Sequence, residues 1–171
     1  MRNIIILLFF PVFLSAQTVI IKDSFPTYQG VVNIENKSAN EINALVKSWI
    51  AINYKSANDV IQMDQKDKII IKAKDKFSYD TEFVVMFKKT TIVSYCDLFY
   101  NIIFDIKDGK FRYTINYTDF KINNISGDIN QLTQSNKPYE KFYKLSIKSN
   151  NDLINRINEI KNQTSTPKDN W

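Results

Sequence analysis

The sequence predicts an α+β domain: a curved antiparallel β-sheet with two helices packed on one face, in the order β-α-β-β-β-β-α with an insertion. Three observations predict it. Ile42, Leu45, Val46, Trp49 and Ile50 recur at helical spacing, so they form one apolar stripe. Residues 101–118 alternate apolar and polar side chains on either side of Asp108-Gly109, the pattern of a half-buried hairpin. Leu153, Ile154, Ile157 and Ile160 form a second helical stripe near the end of the chain.

The elements follow in order. Residues 1–16 have the organisation of a secretory signal peptide: Arg2, an apolar run from Ile4 to Leu14 broken by Pro11, then the small residues Ser15 and Ala16 before Gln17. The run falls short of the ~20 apolar residues that span a bilayer. No cysteine follows it, so a lipid anchor is not indicated. The expectation is an exported, periplasmic or extracellular protein, not a lipoprotein and not membrane-spanning after cleavage. Residues 17–163 are expected to form a single domain and residues 164–171 a flexible tail.

Residues 17–29 read as an extended lead-in and 31–35 as a short strand. Ser38 and Glu41 then make S-x-x-E, a capping box, so a helix is predicted over 39–54. Ile61 and Met63 alternate before a charged turn at 65–67, and Ile69, Ile71 and Ala73 alternate after it, with Lys68, Lys72 and Lys74 pointing outward. Residues 75–96 lean to strand, because Val, Phe and Thr suit a pleated surface. Cys96, the only cysteine, lies in an apolar run and is expected to be buried.

The 101–118 hairpin can be read at the level of register. A two-residue type I′ turn at Asp108-Gly109 pairs Ile106 with Phe111, Phe104 with Tyr113, Ile102 with Ile115 and Tyr100 with Tyr117 on one face. The opposite face then pairs Asp105 with Arg112, Ile103 with Thr114, Asn101 with Asn116 and Phe99 with Thr118. A slip of one residue would exchange the faces, so the register is strongly specified. Residues 119–148 are polar and lose the alternation, which predicts an irregular arm. The last helix is expected over 150–162, with Ser149 as its N-cap.

Composition narrows the chemistry. The chain has no histidine and three glycines, so histidine-based catalysis is excluded and a phosphate-cradling loop is disfavoured. Its carboxylates are scattered. Asp59, Asp64 and Asp67 lack calcium-loop spacing and suit a solvated turn. No enzyme, no cofactor and no metal site is expected. The net charge of +5 is spread along the sequence without a run of like charges, which suits solubility and weak attraction to anions, not a nucleic-acid groove.

The segments at 30–74 and 102–120 resemble the DUF4468 family, exported proteins mainly of Bacteroidetes. The features that carry it are Trp49 late in the first helix, "SANDVIQ" after it, the short strand pair, and "KDGKFRYT" joining two strands. The resemblance spans about residues 28–162. It departs at "IKAK" (71–74), where the family commonly has a glycine, and at 75–96, which is longer than usual. It implies a TATA-box-binding-protein-like (TBP-like) fold and an envelope setting. No activity is established for the family, so no catalytic residue carries over, and a shape label does not imply DNA binding.

The functional expectation is a non-catalytic exported binding or structural module of the bacterial envelope. It would act through the open sheet face, with Asn101, Asp105, Arg112, Thr114 and Asn116 as the binding residues. Its partner would be an envelope protein or a glycan, with no nucleic acid involved. The alternative is a small-molecule or glycan-binding domain with an aromatic pocket at Tyr79, Tyr95 and Phe99.

Overall fold

The computed structural model describes residues 18–22, 25–85, 88–122, 125–128 and 140–163. The expected leader (1–16) and tail (164–171) lie outside them, as do Met86 and Phe87. Among the described residues, seven strands make one sheet: β1 (Thr18–Lys22), β2 (Phe25–Asn33), β3 (Ile61–Asp64), β4 (Lys68–Val85), β5 (Lys88–Lys107), β6 (Lys110–Ile122) and β7 (Ile125–Asp128). The order is β1-β2-β6-β5-β4-β3, with β7 on β6, and each of these pairings is antiparallel. The helices are α1 (Ala39–Asn53), the one-turn α2 (Ala57–Val60) and α3 (Glu140–Asn158), which tightens into a 3-10 turn at Glu159–Asn162. The run β2-α1-β3-β4-β5-β6-α3 is the expected α+β order; β1, α2 and β7 add to it.

α1 forms as its sequence dictates. The Ser38 backbone N–H donates to Glu41 Oε2 at 2.9 Å, and the Glu41 N–H donates to Ser38 Oγ at 3.4 Å, closing the capping box. The helix stops where Tyr54 turns extended, at φ −124° and ψ 135°. Its stripe, Ile42, Leu45, Val46, Trp49 and Ile50, is buried against the sheet. There it meets Ile102, Phe104, Phe111, Tyr113 and Ile115 of β5 and β6, and Leu153, Ile154, Ile157 and Ile160 from α3 and its final turn. Trp49 stitches the two helices together, because its indole Nε1–H donates to the Arg156 carbonyl at 2.9 Å. Its ring also meets Phe104 edge to face at 5.9 Å. Burying side chains of this size stabilises the fold by about 1.5–3 kcal/mol each.

Four expectations need correction and one is sharpened. First, residues 17–29 are not a lead-in: β1 pairs with β2, and β2 starts at Phe25 and ends at Asn33. The alternation was faint because the inward position between Tyr28 and Val32 is Gly30, which the ring of Tyr113 covers from the facing strand.

Second, the described residues of the long stretch 75–96 are strand, as expected, and they extend one hairpin. β4 and β5 pair without interruption from Lys68↔Asp105 to Val85↔Lys88, running past the end of β6. Third, the expected hairpin register holds from Lys107↔Lys110 to Tyr100↔Tyr117 and then shifts, so Phe99 faces Asp119 instead of Thr118. Thr118 is the extra residue of a β-bulge. Alternation resumes out of phase, with Phe120 buried. That is why residues 119–122 look irregular in sequence although they are strand.

Fourth, the turn has positive φ only at Gly109 (75°), the φ signs of a type II turn rather than type I′. Tertiary bonds hold it so. Asp108 Oδ1 accepts from the Ala39 N–H at 2.7 Å, and the Gly109 N–H donates to the Lys37 carbonyl at 2.8 Å. Fifth, Ser149 is not an N-cap, because α3 begins at Glu140. Its buried upstream face carries the polar Ser146 and Asn150, which hid the stripe.

Among the described residues, no helix is long and apolar enough to cross a membrane. Cys96 is buried, and burial, then the Asp97 charge, push its thiol pKa up to about 12.

Candidate functional site

Because side chains alternate along each strand, the helix-covered core claims one face of the sheet and leaves the other open. Register places the open-face residues in rows. Val31, Arg112, Asp105 and Lys68 make one row across β2, β6, β5 and β4. Gln29, Thr114, Ile103 and Ile70 make the next, and Asn116, Asn101 and Lys72 the one after. All five residues singled out from the sequence (Asn101, Asp105, Arg112, Thr114 and Asn116) therefore share one surface.

Asp105 is the hub. Arg112 reaches its Oδ2 with Nη2 at 2.7 Å and Nε at 3.2 Å, and Lys68 Nζ lies 3.4 Å from its Oδ1. Burial pushes the Asp105 carboxyl up, but the hydrogen bond and charge of Arg112, then those of Lys68, outweigh it and hold the pKa below the usual carboxylate value. One row away, Gln29 Nε2 donates to Thr114 Oγ1 at 3.1 Å. Beside the hub, Val31, Asp105, Lys107, Lys110 and Arg112 line a shallow depression of about 220 Å³. Lys107 and Lys110 face each other directly across the turn.

Lys68, Gln29 and Val31 were missed by sequence reasoning, because each reaches the site through a long-range pairing that no local pattern announces. The lysines of β4 were visible as outward positions, but not what they lay beside. Between the row holding Lys107 and the row holding Lys76, Asp97 and Lys121, β4 contributes Lys68, Lys72, Lys74 and Lys76 to the open face. β5 and β6 contribute Lys107, Lys110, Arg112 and Lys121. Three carboxylates of β5 and β6, Asp97, Asp105 and Asp119, share the same area, and Asp128 of β7 pairs with Asp119.

Of the three aromatic residues expected to line a pocket, two have described side chains. Phe99 and Tyr95 lie on the open face, where Lys74 Nζ sits 5.8 Å from the Phe99 ring centroid and Lys76 Nζ 4.7 Å from that of Tyr95. The Tyr79 side chain lies outside the described residues. A cavity of about 550 Å³ opens between β4 and α3, lined by residues such as Asp75, Phe77, Lys148, Ser149 and Arg156.

Beside that cavity is a network the sequence did not reveal. Asp75 accepts from Tyr100 Oη at 3.2 Å and from Ser149 Oγ at 2.5 Å. Tyr117 Oη donates to Asn150 Oδ1 at 3.2 Å. Burial, followed by neighbouring tyrosine and aspartate charges, raises the Tyr100 and Tyr117 pKa values, so both stay neutral donors. Among the described residues, no group of three His, Cys, Asp or Glu side chains is placed to hold a metal ion.

Residues 28–123 match the family described as a domain of unknown function (DUF4468) with TBP-like fold. The chain belongs to the DUF4468 family. A DUF4468 family protein from Bacteroides ovatus superposes with a TM-score of 0.64 at 11% identity, covering 86% of this chain and 92% of that one. A TBP-like protein from Parabacteroides distasonis gives a TM-score of 0.53 at 12% identity, covering 81% and 94%. At such identities the likeness shows the fold alone. No curated protein matches the chain significantly. The DUF4468 match ends at residue 123, so it covers the open face and the turn that caps α1 but stops short of α3.

Proposed function

We propose that this DUF4468 protein is an exported, non-catalytic recognition module of the bacterial envelope that binds through the open sheet face. One observation carries the reading. The helices and the final turn pack on one face, while the other presents the five ladder residues on one shared surface around the Asp105–Arg112–Lys68 cluster. A solvated face needs no such cluster for stability, since exposed ion pairs are worth about 0–1 kcal/mol.

The test compares recovery of envelope material, protein and glycan, on the immobilised wild type and on a variant carrying Arg112→Glu with Asn116→Ala. Loss of specific recovery by a folded variant supports the reading. Equal recovery by both sinks it.

A second reading has its own observation. The cavity between β4 and α3 falls within the size range of small-ligand sites, about 300–1,000 Å³. Its charged lining suits a small polar molecule, and Ser149→Leu would abolish binding there while leaving the open face intact.

A further inference from the structure

The open face concentrates the charge of the molecule. Its central rows on β4, β5 and β6 hold eight cations against three carboxylates, an excess of five on those three strands. The chain carries 23 Lys+Arg and 18 Asp+Glu, a net +5. The remaining fifteen cations and fifteen carboxylates therefore balance. A charge that looks dispersed in sequence is segregated by strand alternation onto one surface.

Two of the three carboxylates are already engaged, Asp105 by Arg112 and Lys68 and Asp97 by Lys74. Lys72, Lys107, Lys110 and Lys121 have no ion-pair partner among the described residues. Lys107 and Lys110 moreover oppose each other across the hairpin, an arrangement of like charges that costs stability. An anion seated between them would remove that cost.

We infer that the open face binds an extended anionic polysaccharide, its acidic groups lying along the lysine rows and its hydroxyls along the neutral ladder of Gln29, Thr114, Asn101 and Asn116. The inference rests on the open-face reading above and names its ligand. Three observations select this chemistry. Lys72, Lys74 and Lys76 occupy successive outward positions of β4 about 6.8 Å apart, twice the strand rise, so they follow a long chain rather than converge on one small anion. Among the described residues, the aromatic rings on this face, Phe99 and Tyr95, are each approached by a lysine ammonium. They are therefore not the open stacking platforms that single-stranded nucleic acid uses. Among the described residues, the large apolar side chains exposed on this face, Val31, Met63, Val93 and Tyr95, are spread over three strands and make no single insertion patch of the kind a lipid surface requires.

The experiment is direct titration of the protein with polygalacturonate. Neutral dextran, single-stranded DNA and phosphatidylglycerol vesicles run in parallel. Wild type is compared with a variant carrying Lys72→Gln, Lys107→Gln, Lys110→Gln and Lys121→Gln, whose fold is checked by its thermal transition. Saturable polygalacturonate binding is expected, weakening as salt rises, with no binding to dextran and a loss of about tenfold or more in the variant.

Equal binding by wild type and a folded variant overturns the inference, as does a failure to bind polygalacturonate. Tighter binding to DNA or to the vesicles overturns it in favour of those partners. If polygalacturonate fails while the Arg112→Glu, Asn116→Ala variant still loses envelope material, the ligand class is wrong and the open-face reading stands.

Discussion

On one face of the β5–β6 hairpin, Tyr100, Ile102, Phe104 and Ile106 meet Tyr117, Ile115, Tyr113 and Phe111, none more than 8% exposed. On the other, Asn101, Ile103 and Asp105 meet Asn116, Thr114 and Arg112, and Arg112 keeps 52% of its side-chain surface in water. The backbone pairing is common to both. The contrast shows how alternation divides labour: the buried face supplies stability, and the exposed face is free to vary in charge with little effect on folding. A local sequence that reads as apolar and polar in turn is two surfaces with separate constraints.

Mutations on each side can break or sharpen that division. The largest effect belongs to the buried face. Phe104→Ala is expected to cost about 3–5 kcal/mol, from lost burial plus the cavity under Trp49, read as a fall in the urea midpoint at unchanged slope. A smaller loss, about 1–3 kcal/mol, is expected for Gly30→Ala, because a Cβ there would overlap the buried Tyr113 ring. A double-mutant cycle with Tyr113→Leu should reveal the coupling, and strict additivity would refute the contact.

Acid tests the charged groups. The backbone N–H of Ser38, then the Lys37 and Ser38 side chains, lower the Glu41 pKa from 4.5 to about 2, and Asp105 is also lowered. Folded values below unfolded ones mean that this stabilisation is present above about pH 4.5 and is lost as pH falls toward 2. Glu41→Gln should therefore flatten the decline in stability over that window, and an unchanged profile would contradict it. The smallest effect is expected on the open face, where Arg112→Ala should shift stability by less than about 1 kcal/mol. A loss comparable to that of Phe104→Ala would erase the distinction between the faces.

Much of this was legible from local pattern. The α1 stripe and its capping box, the pairing of Tyr100 through Lys107 with Lys110 through Tyr117, and the grouping of Asn101, Asp105, Arg112, Thr114 and Asn116 all follow from periods of 3.6 and 2. What stayed hidden depends on partners distant in sequence. Gly30 weakens the alternation of β2, yet Tyr113 supplies the missing side chain from the facing strand. The bulge at Thr118 puts the end of β6 out of phase with its beginning. Ser149 looks like a cap until Asp75, from another element, claims its hydroxyl. The segregation of charge was invisible for the same reason, since Lys68, Asp105 and Arg112 become neighbours only when three strands align.

The most direct test measures folding and recognition on one variant. Arg112→Glu with Asn116→Ala should keep an unfolding free energy within about 1 kcal/mol of wild type and lose its capture of envelope material. A variant that stays folded and captures as well as wild type would show that the open face is only a solvated surface.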